Sequence, residues 1–445
     1  MYRHLVSEKS DVVASSGVVE VTFDGSTGMM KQISSEGVDL AVTQQWGYYT
    51  SFDSSFDKSN DGTSRNSQNS GAYVFRPSSP DKSFQKVDPV LNKAIFVNSS
   101  IGMEVYSSFK KPWVRQVVRV YTGKPFVEIE YTIGPIPITD GRGKEIATQF
   151  WTPIQAENKF YTDSNAREFL ERKRNVRPSW NLTVYEPVAG NYYPVNAAMF
   201  MQDANASMAI LVDRSQGGGS VSEGEFEIMV QRRTVADDAR GVDEPLNETV
   251  DGMSPYPPYG DMSRHGDGVI IRGKHRILVG PGMSGARLAR SGMDEAFAEP
   301  LVYVGSAPSA KPVAFLRGSF SSLLSGLPPN VMLVTFVELP DREDKTFLLR
   351  LGHQYAAGED EELSAPVDLD LSKLFLSYNV LSVKEKTLTG NQNWEDYQSR
   401  RFKWTGEGQR TKPDTEHARS DTTVTLTPME IHTFELTVDT IKSHL

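Results

Sequence analysis

Hydrophobic positions in this chain recur at every second residue far more often than at every third or fourth. FVEIEYTIG at Phe126 to Gly134 is the clearest case. Val127, Ile129, Tyr131 and Ile133 fall on one face of an extended strand, with Glu128, Glu130 and Thr132 on the other. Similar runs at Val117 to Tyr121, Met208 to Val212, Glu225 to Gln231, Val331 to Leu339 and Val424 to Leu426 predict further short strands. Convincing helical periodicity is nearly absent. AREFLERKR at Ala166 to Arg174 holds helix formers, but the window is short and Pro178 follows, so one or two helical turns are expected there at most. Short strands between Gly, Pro, Asn and Asp clusters predict an all-β chain of stacked antiparallel sheets.

Breaks in that pattern suggest the division of the chain. A length of 445 residues exceeds what one core holds and implies two or three domains. SAPSAKP at Ser306 to Pro312 reads as a linker, giving a large β-domain over 17–305 and a smaller one over 313–445, with 1–16 left as the remnant of a preceding domain. Ser51 to Ser70, rich in Ser, Asp and Asn, is expected to be a mobile loop. Pro255 to Gly268 is a second loop, too proline-rich to join a sheet interior.

Composition narrows the partners. Apolar residues at 38% and charged ones at 23% describe an ordinary globular chain, and no apolar run reaches membrane-spanning length. A net charge of −10 argues against a nucleic acid. Cysteine is absent, which excludes disulfides and thiolate metal sites and leans towards the cytosol. Four N-x-S/T acceptors, at Asn98, Asn181, Asn205 and Asn247, lean the other way, though about two would arise by chance. MYRHLVSEKSDVV has no secretory-leader pattern, so the chain reads as a piece of a longer precursor.

The chemistry concentrates in FYTDSNAREFLERKRNVRPSWNLTVYEPVAGNYYPV, Phe160 to Val195. Rings, amides and guanidinium groups crowd around Pro178, Pro187, Gly190 and Pro194, and such a segment can stack on sugar CH faces while fork donors hold hydroxyls. It resembles the C-terminal half of family 38 α-mannosidases, and EPVAGNYYPVN fits the lysosomal, acid branch of that family. VTFDGSTGMMKQI at Val21, SGAYVFRP at Ser70, GPIPITDGRGKEI at Gly134, DRSQGG at Asp213, VQRRTVADDARGVDEPL at Val230, HQYAAGEDEELSAPV at His353 and TLTPMEIHTFEL at Thr425 are similar to the same family, in family order. Together they cover the chain from about residue 17 onward, most weakly between about 280 and 345.

The resemblance implies a large galactose-mutarotase-like antiparallel sandwich followed by a terminal β-sandwich. It implies retaining hydrolysis of terminal non-reducing α-D-mannose from N-glycan oligosaccharides in a lysosomal or other acidic lumen. The nucleophile and a zinc site built from two His and two Asp would lie upstream, in an N-terminal catalytic half that is this chain's partner, so this chain alone is expected to be inactive and metal-free. Tyr161 of FYTD would donate its hydroxyl into the mannose pocket, and Arg240 of DD-x-RG would reach the pocket rim, with Asn191, Tyr192 and Tyr193 beside it. The alternatives are a core tyrosine for Tyr161 and a structural ion pair for Arg240.

Other constellations have plainer readings. His265-Gly266-Asp267 copies a zinc-site spacing, but sits in a Gly-rich loop with no second His at ligand distance. Asp237-Asp238 reads as a turn cap paired with Arg232, Arg233 or Arg240, since adjacent strand residues point to opposite faces. Gly217 to Gly219 lacks the Lys-Ser/Thr of a phosphate loop. Trp180, Trp394 and Trp404 read as packing residues. A non-catalytic carbohydrate-binding or interaction module remains the alternative function. A mutarotase-type epimerase would need a His and a carboxylate across a groove, and no His lies between 17 and 246.

Overall fold

The computed structural model describes residues 3–6, 10–57, 68–79, 84–249, 267–298, 300–303, 321–340, 342–402 and 422–441. The Ser306–Pro312 linker, most of the Pro255–Gly268 loop with His265, the middle of the Ser51–Ser70 loop and Trp404 lie outside these residues. The chain divides into two compact units, Met1–Glu299 and Pro300–Leu445.

The first unit is built almost wholly of antiparallel strands, as the alternating pattern requires. A ten-stranded sheet runs, in spatial order, Arg3–Val6, Ile95–Ser99, Gly102–Ser108, Val114–Tyr121, Val127–Ile133, Ile271–Pro281, Ala206–Val212, Ala198–Gln202, Lys159–Ser164 and Glu168–Lys173. A six-stranded sheet runs Tyr192–Val195, Gln216–Gly219, Glu225–Arg233, Lys144–Trp151, Thr43–Thr50 and Gln85–Val87. Val118, Ile129, Phe160 and Ile210 of the first meet Phe150, Phe226 and Ile228 of the second in one dry core. A four-stranded sheet over Val12–Ala41 adds Phe23, Ile33 and Leu40 to it. Residues 1–16, expected to be the remnant of another domain, instead supply two strands here, Arg3–Val6 beside Ile95–Ser99 and Val12–Ser15 beside Val19–Phe23.

The strand Val127–Ile133 shows what alternation hides. Its apolar set is fully buried, but Glu128 on the other face is also only 2% exposed. Arg276 at 3.2 Å and the Tyr121 hydroxyl at 3.1 Å satisfy it from neighbouring strands, so the polar face is a cross-strand network and not a wet one.

Two local expectations fail for definable reasons. Glu168–Lys173 is a strand, not helical turns: Asn165 and Ala166 take left-handed φ values of 52° and 60°, closing a tight hairpin onto Lys159–Ser164. Turn geometry and strand pairing outweigh helix propensity there. Conversely, Gly285–Phe297 forms a helix, α1, that the sequence pattern did not announce. Ala286, Ala289, Gly292 and Met293 form its buried face against Phe200, Leu211 and Leu278. A Cβ at Gly292 would lie 3.0 Å from Leu211, so the residue that weakens the helix signal is what lets the helix sit close.

The second unit pairs a four-stranded sheet, in the order Val331–Glu338, Thr346–His353, Ile431–Thr440, Tyr378–Lys386, with a two-stranded ribbon of Val367–Asp370 and Thr423–Leu426. Leu349, Leu351, Leu371, Leu426 and Leu436, none of them exposed, form the core of this terminal β-sandwich. A short helix, α2, spans Trp394–Arg400. His432 lies between two carboxylates, Nδ1 2.8 Å from Glu385 and Nε2 3.4 Å from Glu430, while nearby Lys386 is held by Glu435 at 3.3 Å. Burial alone would depress its pKa, but the hydrogen bonds and charges of Glu385 and Glu430 outweigh burial and raise it. A group whose folded pKa is raised stabilises fully below its unfolded value near 6.5 and loses that contribution as pH rises through the folded value. His432→Asn should therefore lose stability against the native chain in mildly acidic buffer and approach it in mildly alkaline buffer. Urea midpoints at the two pH values check this; a gap that does not change with pH would refute it.

Candidate functional site

Beyond the strand Glu225–Arg233 the chain folds into a turn built by two aspartates. Asp237 accepts from the Ala239 amide at 2.7 Å, and Ala239 is left-handed with φ 56°. Asp238 is buried and accepts backbone amides from Tyr73 at 2.6 Å, Val74 at 2.9 Å and Arg240 at 3.1 Å. The approach is close enough that a Cβ on Gly71 would lie 2.7 Å from Asp238. The pair caps its turn as expected, but the expected side-chain ion pairs do not form. Arg232 turns to Glu145 at 2.7 Å and Arg233 donates to the Ile136 carbonyl at 2.6 Å.

Arg240 projects from this turn into solvent. Its Nε donates to Gln68 Oε1 at 2.9 Å and its Nη2 donates to the same oxygen, while Gln68 Nε2 donates to the Asp238 carbonyl at 2.8 Å. Among the described residues Gln68 is the partner that aims the guanidinium, and most of its donors face outward.

The loop that carries Gln68 to Arg76 also covers a dry polar layer on the outer face of the six-stranded sheet. Glu227 is fully buried and accepts from the Tyr49 hydroxyl at 2.7 Å, from Gln149 Nε2 at 2.5 Å and from the Tyr192 hydroxyl. Burial raises its pKa while the three donors oppose that rise. Phe75 closes the layer, 4.9 Å from Tyr192 and 5.7 Å from Tyr49 between ring centroids. Glu145, likewise fully buried, is held by Arg232 and the Ser70 hydroxyl. Sequence reading passed over these acids. The signal was Glu225 and Glu227 on one face of a strand whose other face, Phe226 and Ile228, is core.

The other anticipated residues lie elsewhere. Tyr161 stacks flat on Phe200 at 4.5 Å, on the outer face of the ten-stranded sheet beside the residues that pack α1. Its hydroxyl donates to Glu171 at 3.1 Å, and burial, aided by Glu171, pushes its pKa to about 12. Tyr161 thus lies on the outer face of the ten-stranded sheet, and Arg240 on the turn that follows Glu225–Arg233. Tyr193 packs edge-on against Phe160 at 5.8 Å, with the guanidinium groups of Arg172 and Arg177 over its ring at 4.3 and 5.0 Å. Asn191 lines no open rim: at 1% exposure it donates to Asn175 and the Pro187 carbonyl and accepts from the Asn175 amide, stapling its loop. Trp180 is 58% exposed and packs no core. His275 lies in the first unit but is buried, donates from Nε2 to Gln216 Oε1 at 2.8 Å, and is pushed by burial to a pKa of about 4.

Asn98, Asn181 and Asn205 are exposed acceptors, whereas Asn247 is 6% exposed. Among the described residues, no three His, Asp or Glu side chains converge on a point that could hold a metal ion.

Residues 15–240 match the family described as "Glycosyl hydrolases family 38 C-terminal domain", and residues 330–434 match "Glycosyl hydrolases family 38 C-terminal beta sandwich domain". The chain is 37% identical over 439 residues to lysosomal alpha-mannosidase of Bos taurus, covering 95% of this chain and 40% of that protein. Against the lysosomal alpha-mannosidase of Homo sapiens it is 38% identical over 424 residues, covering 94% and 38%. An alpha-mannosidase of Canavalia ensiformis is 35% identical over 438 residues. The chain thus spans about two fifths of the length of the curated relatives it matches. A solved alpha-mannosidase from Enterococcus faecalis shares its fold with a TM-score of 0.54 at 10% identity, over 97% of this chain and 43% of that one.

Proposed function

Because the chain belongs to family 38 of the glycosyl hydrolases, as its C-terminal β region, we propose that it forms the β-rich part of a retaining α-mannosidase. The substrate is terminal non-reducing α-D-mannose on N-glycan oligosaccharides, and the compartment a lysosome or other acidic lumen. Retention requires two carboxyl groups about 5–5.5 Å apart across the scissile bond. The buried acids here, Glu227 and Glu145, are each closed off by their own donors and fill neither role. Nucleophile, acid–base carboxyl and zinc belong to the part of the relatives that this chain does not span. Zinc, when bound there, would engage mannose hydroxyls; nothing among the described residues here is arranged to hold it.

The observation that carries this reading is Arg240: a permanently charged fork, exposed, fixed in direction by Gln68 and by a turn that Asp238 anchors. Such a group holds vicinal hydroxyls of the outer sugars while the other part of the enzyme works on the terminal one. In the complete enzyme, Arg240→Ala should raise KM for an oligosaccharide about tenfold and leave KM for a small aryl α-mannoside nearly unchanged. The melting temperature should stay the same, because the side chain is outside every core. Equal effects on both substrates, or none on either, would remove Arg240 from the glycan contact. Tyr161→Phe tests a separate contact: a fall of about ten- to hundredfold in kcat/KM would assign its hydroxyl to substrate. A change in stability alone would assign the hydroxyl to its structural bond with Glu171.

A further inference from the structure

Trp394 does not pack a core. It stands on α2, a helix that buries none of its residues, and its indole lies 5.5 Å from the Tyr397 ring at 35°. Between α2 and the strands Tyr378–Lys386, Thr423–Leu426 and Ile431–Thr440 is a cavity of about 470 Å³. Trp394 gives it an aromatic surface, while Phe434, only 2% exposed, borders it from the core; Lys384, Asn393, Glu385, Glu395 and Asp396 give it an ammonium, an amide and three carboxylates.

We propose that this cavity, in the terminal β-sandwich, binds a neutral hexopyranoside. Its volume falls within the usual range of about 300–1,000 Å³ for small-ligand sites and suits one or two sugar units. The lining combines a ring face for sugar CH groups with an ammonium, an amide and carboxylates, which donate to and accept from pyranose hydroxyls. Carboxylates outnumber the one ammonium, since Glu385 lines the cavity with Glu395 and Asp396, so phosphates and other anions are disfavoured. Nor is the site arranged for a cation. Asp396 already accepts from Asn393 at 3.1 Å and Glu385 pairs with His432 at 2.8 Å, so these oxygens are oriented acceptors with part of their charge already countered. That the hexose is mannose rests on the function proposed above; the existence of the site does not.

The test is titration of the 445-residue chain with methyl α-D-mannopyranoside, followed by saturation-transfer NMR and by calorimetry. Saturable binding is expected, weakened about tenfold or more by Trp394→Ala and similarly by Asp396→Asn. Circular dichroism and melting should not change, because α2 contributes nothing to the core; should Trp394→Ala melt the chain, the exposed Asp396→Asn carries the result alone. No saturable binding, or binding indifferent to both variants, overturns the proposal. A normal Arg240→Ala outcome with no cavity binding overturns the cavity site only. Cavity binding with an inert Arg240 overturns only the glycan role of that residue.

Discussion

Replacing Glu227 by alanine is expected to destabilise the larger unit by on the order of 4 kcal/mol. One carboxylate there satisfies three donors, the hydroxyls of Tyr49 and Tyr192 and the amide of Gln149, in a layer closed to solvent by Phe75. Alanine removes all three acceptor contacts at once and leaves a void. Each orphaned buried donor costs about 1–3 kcal/mol, less than additively because the three share one partner. Glu227→Gln keeps one acceptor oxygen but turns an amide towards donors, and should fall between the native chain and alanine. Urea unfolding of the three proteins orders them. A loss below about 1 kcal/mol for Glu227→Ala would mean that the layer is wet.

Arg232→Ala should cost about 3–5 kcal/mol, the amount typical of a buried acid stripped of its cation. Glu145 is fully buried, and Arg232 is its charged partner at 2.7 Å. The informative control is Arg232→Met combined with Glu145→Leu, which removes both charges together and should recover most of the loss. Arg232 Nη2 also donates to the Val74 carbonyl at 2.8 Å. The Val74 and Tyr73 amides in turn hold Asp238, whose turn aims Arg240. Arg232→Ala should therefore also weaken oligosaccharide binding in the complete enzyme, although it touches no sugar. Retained stability in Arg232→Ala, with double-mutant behaviour no different from the single change, would contradict this account.

How much was legible in the sequence depended on whether the governing interaction was local. Val127, Ile129, Tyr131 and Ile133 announced a strand because burial acts on each of them in turn. The Asp237–Asp238 turn was readable for the same reason: an aspartate reaches amides two residues away whatever surrounds it. The hairpin at Asn165–Ala166 misled because helix formers in Glu168–Lys173 are outvoted by a partner strand. The helix α1 was missed because Gly292, a poor helix residue, is required by packing against Leu211 and Leu278. The candidate sites divided along the same line. Arg240 carried a motif and lies where a motif could signal it. The Glu227 layer draws on Tyr49, Gln149 and Tyr192, residues far apart in the chain, and no local pattern marks such an assembly.

The position of Ile271–Pro281 has a consequence for biosynthesis. It is the final strand of its unit to leave the ribosome, yet it belongs in the middle of the ten-stranded sheet, between Val127–Ile133 and Ala206–Val212. Until it arrives, two half-built sheets each wait with a long apolar edge unpaired, and such edges invite pairing with other nascent chains. The unit is closed by its own tail. A chain interrupted between residues 212 and 271 would leave two sticky half-sheets tied together where the finished protein has a seamless wall.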